Sequence, residues 1–141
     1  MFSNPANAAR NYSNVNVTTG VMSANPHRLV VMLFEGAMIA VAAARMHLGL
    51  NQTPEKAKSI SKAVSIIQDG LMASLDRDSG GELADRLFSL YEYMVTRLTE
   101  ANVHNRAEPL EETGRLLAEL SDAWKSIGDT DTPGATGASG E

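Results

Sequence analysis

The chain contains no cysteine. Disulfides, a thiolate zinc site and a cysteine nucleophile are therefore excluded, and a reducing cytosol suits such a chain. It also lacks any dense run of lysine or arginine. With 12 basic against 17 acidic residues the formal net charge is -5, which argues against general nucleic-acid binding. The opening MFSNPANAARNYSN is polar and has no basic region followed by an apolar one, so it does not read as a secretory signal. The Asn-x-Ser/Thr sequons at Asn11, Asn16 and Asn51 consequently carry little weight. No stretch reads as a strand. His27, His47 and His104 lie far apart, and none sits in a Glu-x-x-His or His-Glu-x-x-His pattern, so they read as solvated helix-end residues. No Gly-x-Ser-x-Gly elbow is present. The Gly80-Gly81 pair is followed by no Lys-Ser/Thr and preceded by no strand, which makes it a turn rather than a phosphate loop. Nothing assembles a nucleophile, a base and an orienting group. A binding protein with no catalytic residue, cofactor or metal is the reading these absences leave.

What is present centres on Asn25 to Arg45, NPHRLVVMLFEGAMIAVAAAR. Asn25 can cap a helix and Pro26 suits its first position, where a missing N–H costs nothing. Leu29 to Phe34 and Ala37 to Ala44 are unbroken apolar runs, and Glu35 is the only ionisable residue between Arg28 and Arg45. A surface helix ordinarily buries one stripe and wets the rest. This one is apolar nearly all round, so it is either a central helix or a helix with one face awaiting a partner. Glu35-Gly36 interrupts it, and a membrane span needs roughly 18–20 uninterrupted apolar residues, so no membrane insertion is expected. Small residues such as Gly36, Ala37 and Ala40 allow a neighbouring helix to approach closely. Glu35 would begin an enzyme site if buried beside a second acid or base. A carboxylate facing water or a neighbouring loop is the preferred reading.

The helix should end near Gly49, in a left-handed cap. Thr53-Pro54 opens a second helix, with Ile60, Val64, Ile67, Leu71 and Leu75 on one stripe. Asp76 to Gly81 break it. A third begins about Glu82, with Leu83, Leu87, Leu90, Tyr91, Met94, Leu98 and Ala101 facing inward. The fourth starts between Arg106 and Pro109, and its stripe is Leu110, Thr113, Leu117, Leu120, Trp124 and Ile127, at heptad spacing. Short turns make neighbours antiparallel. The expected fold is all-α, an up-down four-helix bundle over residues 25–127, preceded by a flexible arm (1–24) and followed by a disordered Gly/Thr/Ala-rich tail (128–141).

Four pieces of this sequence, in order, carry a resemblance. Ala24-Asn25-Pro26-His27 leads into Leu33-Phe34-Glu35-Gly36-Ala37. Ser74-Leu75-Asp76 is followed by Gly80-Gly81-Glu82. Leu90-Tyr91-Glu92-Tyr93-Met94 has Leu98 and Ala101-Asn102 behind it. Leu116-Leu117-Ala118-Glu119-Leu120 precedes Trp124. Together they resemble the flagellin-specific export chaperones of flagellated bacteria, the FliS family, from about Tyr12 to Trp124. Asn25 stands where that family usually has serine, Phe34 where it has tyrosine and Glu35 where it has aspartate. Each change keeps the cap, the ring or the charge.

The resemblance implies a cytoplasmic bundle that binds the disordered C-terminal segment of flagellin. It would prevent premature polymerisation and deliver the client to the export gate of the flagellar type III apparatus. The alternative is an adaptor bundle with another amphipathic helical client. Partner-binding candidates are Tyr12, Leu29, Met32, Leu33, Phe34, Ala37, Ile67, Leu71, Tyr91, Tyr93, Met94 and Leu98. By helical phase Tyr91 shares the core stripe and Tyr93 is the better surface candidate. The arm, anchored by Tyr12, is expected to cover part of the client groove until flagellin displaces it.

Overall fold

Helix α1 (Pro26–Gly49) starts at the cap the sequence marks: the Asn25 side chain accepts from the Arg28 N–H at 2.9 Å, and Pro26 follows it. Its C-terminal end departs from expectation. Gly49 is the last helical residue, and the left-handed position falls on Asn51, φ 58°. Asparagine tolerates that conformation, and the turn it makes returns the chain into α2 (Thr53–Ser65). Helices α3 (Gly81–His104) and α4 (Glu108–Asp131) complete the computed structural model, which describes residues 25–131. No strand occurs among the described residues. The arm at 1–24, Tyr12 included, and residues 132–141 lie outside them. Helix α4 continues through Gly128, so the stretch expected to be tail begins inside its last turn.

The order of packing follows the chain. Helix α1 lies against α2 and α4, and α3 lies against α4 and the second helical segment. Polar fastenings fix the directions, each joining the start of one helix to the end of another. The buried Lys56 ammonium, near the start of α2, donates to the Asn102 carbonyl (2.9 Å) and the Asn105 side chain (2.6 Å) at the end of α3. A cation there also opposes the partial negative charge of the helix terminus. Arg97, late in α3, meets Glu112, early in α4, at 2.7 Å. Trp124, late in α4, donates to the His27 carbonyl at the start of α1. Neighbours are therefore antiparallel, and the chain forms an up-down four-helix bundle.

The second helix is not uniform. After Ser65 it widens into a π-helical turn, Ile66–Met72. An α-helical stripe over this segment would turn one apolar residue inward per turn. The wider turn buries the adjacent pairs Ile66-Ile67 and Gly70-Leu71 together. Gly70 is required by its neighbour: a Cβ there would lie 2.9 Å from a methyl of Leu33 on α1. The core is completed by Phe34, Ala37, Val41 and Ala44 from α1, Met94 and Leu98 from α3, and Leu110 and Leu117 from α4. Thr113 and Ser121 on α4 are buried as well, and their hydroxyls have no hydrogen-bond partner among the described residues.

Gly70→Ala should lower the unfolding free energy by about 1–3 kcal/mol, the usual result of overfilling a packed core. Gly49→Ala, where an added methyl meets nothing within 4 Å, should be neutral or slightly stabilising. Urea denaturation of both variants checks the pair. Equal midpoints would show that Leu33 yields freely and that the α1–π-turn contact is slack.

Candidate partner-binding surface

By length and composition α1 could cross a membrane, yet only 39% of its most apolar 18-residue window is buried. One side packs against α2 and α4. The other presents Met32, Ile39, Ala42 and Met46, continued by Leu50 beyond the helix end. Ile39 is 70%, Met46 54% and Leu50 60% exposed. A soluble surface tolerates single apolar residues, but a run along one helix face is a feature that partners cover.

At its N-terminal end α1 also borders a cleft of about 360 Å³ with walls mainly from Pro26, Val30, Leu75, Leu83, Leu87, Tyr91 and Trp124. Leu83 on its rim is 65% exposed. One wall is a clasp between the first turn of α1 and the last turns of α4. The His27 and Trp124 rings stack at 5.3 Å and 7°, the Trp124 indole N–H donates to the His27 carbonyl at 3.3 Å, and His27 Nε2 pairs with the Trp124 carbonyl. A Cβ at Gly128 would overlap the His27 ring, so a glycine is needed one turn after the tryptophan. His27 is thus half-buried and structural, not the solvated residue its sequence context suggests. Burial against the cleft pushes the Tyr91 hydroxyl up to about 12.

The structure sorts the candidates read from sequence. Leu33, Phe34, Ala37, Ile67, Leu71, Tyr91, Met94 and Leu98 are all at most 6% exposed and belong to the core. Leu29 and Met32 are half-buried, and Tyr93 is 43% exposed. Tyr91 therefore faces inward and Tyr93 outward, as helical phase requires. Ile39, Met46 and Leu50 were not singled out, and Leu83, expected to face inward, is instead exposed on the cleft rim. Phase could have found the first two, because they lie opposite Ala37, Val41 and Ala44 on α1.

Glu35 lies at the surface, 3.2 Å from Lys125, and not in a closed pocket with a second acid or base. His47 pairs with Gln52 at 2.6 Å. Among the described residues no group of three His, Cys, Asp or Glu side chains could hold a metal ion.

Tyr93 is held in a polar cluster. Its hydroxyl donates to both Glu112 oxygens at 2.8 and 2.9 Å, and Arg97 donates to Glu112 and to Glu100, each at 2.7 Å. The Tyr93 hydroxyl and then Arg97 hold the Glu112 carboxyl below the ordinary glutamate range. Its bond to Glu112 raises the Tyr93 hydroxyl, and the separate bond from Arg97 to Glu112 is the first cause of a raised Arg97. A carboxylate whose folded pKa is depressed contributes stability above its unfolded pKa. That contribution is lost as pH falls through the folded value. The Glu112 contribution is therefore complete above about pH 5 and disappears on further acidification. Glu112→Gln should be less stable than the wild type at neutral pH, with the two urea midpoints converging as pH falls below the ordinary glutamate range. Parallel curves would remove Glu112 from the acid sensitivity of the fold.

An up-down helical bundle with one over-apolar helix left partly uncovered defines the class: a helical bundle that presents an apolar face. Residues 8–131 match the family model described as Flagellar protein FliS. The chain is 44% identical over 122 residues to the flagellar secretion chaperone FliS of Salmonella typhimurium, covering 86% of this chain and 90% of that protein. It is 43% identical to the Pseudomonas aeruginosa flagellar secretion chaperone FliSB, covering 85% and 94% respectively. With the Escherichia coli K12 flagellar secretion chaperone FliS it shares 41% identity over 85% of this chain and 88% of the relative. This chain belongs to the FliS family of flagellar secretion chaperones.

Proposed function

We propose that this protein is a cytoplasmic export chaperone whose client is the C-terminal segment of flagellin. It holds that segment away from premature polymerisation and presents it to the gate of the flagellar type III export apparatus. The observation that carries this reading is α1, an unusually apolar helix of which one face is packed and the other left uncovered. A flagellin terminus buries amphipathic helical sequence against neighbouring subunits once assembled. In the cytosol it needs a substitute surface of this kind. Ordering such a segment opposes binding, and burial of apolar area offsets that loss.

The contacts we assign to the client are Leu29, Met32, Ile39 and Met46 on α1, with Leu83 on the cleft rim and Tyr93 on α3. The buried candidates act by holding these in place. Residues 1–24 serve as a cover that the client displaces, with Tyr12 as its anchor. They join α1 at Asn25, beside Pro26 in the cleft wall.

Titration calorimetry with a flagellin C-terminal peptide and the full-length protein is the decisive measurement. Expected are one peptide per chain, a negative heat-capacity change and little dependence on salt. Absence of binding overturns the reading, and a steep salt dependence points to a charge-steered partner instead. Removing residues 1–20 should leave the affinity unchanged or tighten it, because any stabilisation of the free state by a cover weakens the client, tenfold for every 1.4 kcal/mol. Weaker binding by a truncated protein that stays folded would mean that the arm grips the client directly.

A further inference from the structure

Lys56 is the one charged side chain buried among the described residues, 2% exposed, and no described carboxylate pairs with it. An ammonium has three donors. Two of them go to neutral oxygens, the Asn102 carbonyl and the Asn105 side chain. Buried charges are ordinarily paired with an opposite one. The end of α3 supplies at most about half an elementary charge, so the ammonium is only partly compensated. Lys56 also lines a cavity of about 310 Å³, at the end of the bundle where α1 turns into α2 and α3 into α4. Leu48 and Ala107 form its apolar side, and Asn51, Gln52, Thr53 and Asn105 bring neutral polar groups. The lysine is the only charged residue in that lining. A second feature has the same sign. Gln52, in the cap position of α2, makes no capping bond, because its side-chain oxygen accepts from His47 at 2.6 Å. The first N–H groups of α2 are therefore left without a side-chain acceptor. A buried cation and uncapped amides around one small space suit an anion.

The surroundings of the cavity select which anion. The uncovered face of α1, with Met32, Ile39 and Met46, runs toward this end of the bundle. Met46 lines a shallow pocket that shares Leu48 and Ala107 with the Lys56 cavity, so the face and the cavity are continuous. A segment lying on that face reaches the cavity with one of its ends. The volume is at the lower limit of ligand pockets and suits the last residue of a chain rather than a folded element. An amino terminus carries the wrong charge, whereas a carboxyl terminus carries the right one. We propose that the cavity at Lys56 receives the C-terminal carboxylate of the client. The client segment then runs along α1 in the same direction as α1 itself. This assignment rests on the client reading above and adds to it a direction and a fixed end. A client held in this way is recognised as a chain end, so the same apolar sequence in the middle of a longer chain binds less well.

Calorimetry of the full-length protein with two flagellin C-terminal peptides, one ending in the free acid and one in the amide, tests it. The acid should bind about tenfold or more tightly than the amide, the usual effect of a hydrogen bond to a charged group. That difference should persist in high salt, because screening scarcely reaches a buried pair. With Lys56→Met the acid and the amide should bind equally. Circular dichroism accompanies this variant, which also loses a fastening between α2 and α3. The peptide pair is read on the unaltered protein, so it decides even if the variant does not fold. Equal affinities on the unaltered protein overturn the proposal and leave the client reading standing, whereas no binding of either peptide overturns both. A difference that vanishes in salt, or that survives Lys56→Met, also overturns it. Such a result places the carboxylate on a surface arginine such as Arg45 or Arg106, whose side chains are 52% exposed.

Discussion

Burial of α1 is the constraint on which the bundle depends. It is the most apolar element of the chain, and α2, the π-helical turn and α4 are all arranged against it. Contact with the π-helical turn is close. Leu33 fills the space a side chain at Gly70 would occupy, while Ile66 lies within reach of Gly36. The widened turn lets two adjacent pairs face the core from one short segment, and the glycine lets α1 approach. Neither feature works without the other, since a wider turn carrying a larger residue at position 70 would drive α1 outward.

On the other side of α1 the contact with α4 is made by small and polar residues. Thr113, Gly114 and Ser121 lie along α4, and a Cβ at Gly114 would come 3.6 Å from Val41 on α1. Close approach is gained there at the expense of hydrogen bonding, for the two buried hydroxyls have no partner in the described chain. An unsatisfied buried hydroxyl typically destabilises by about 1–3 kcal/mol. The α1–α4 interface is instead secured at its ends. His27 and Trp124 clasp one end, and Arg45 with Glu111 marks the other. A bundle fastened at the ends and lined with small residues between them has little apolar area to spare for covering the outside of α1.

The uncovered face and the cleft border the same helix, so under the proposed function folding and client binding draw on one element. A chaperone of this family needs a core that folds without its client and a surface that is poor without it. Placing both on α1 meets the two needs by phase alone. Ala37, Val41 and Ala44 are buried, whereas Ile39, Ala42 and Met46 face out.

The sequence by itself determined the helices, their order and most of their boundaries. Caps, prolines and three- and four-residue apolar spacing are local signals, and Asn25-Pro26 and Thr53-Pro54 act as helix starts wherever the rest of the chain lies. It also determined that α1 carries more apolar surface than one core needs, and that Tyr91 and Tyr93 point apart. Which apolar residues reach the surface was decided only by tertiary packing. Leu33, Phe34 and Val41 are as apolar as Ile39 and Met46, and composition cannot rank them. They are buried because two neighbours close on one side of α1 and none on the other. The π-helical turn, the left-handed Asn51 and the stacking of His27 on Trp124 belong to the same category. Each depends on a residue distant in sequence or on the path of a loop, and local propensity holds no record of either.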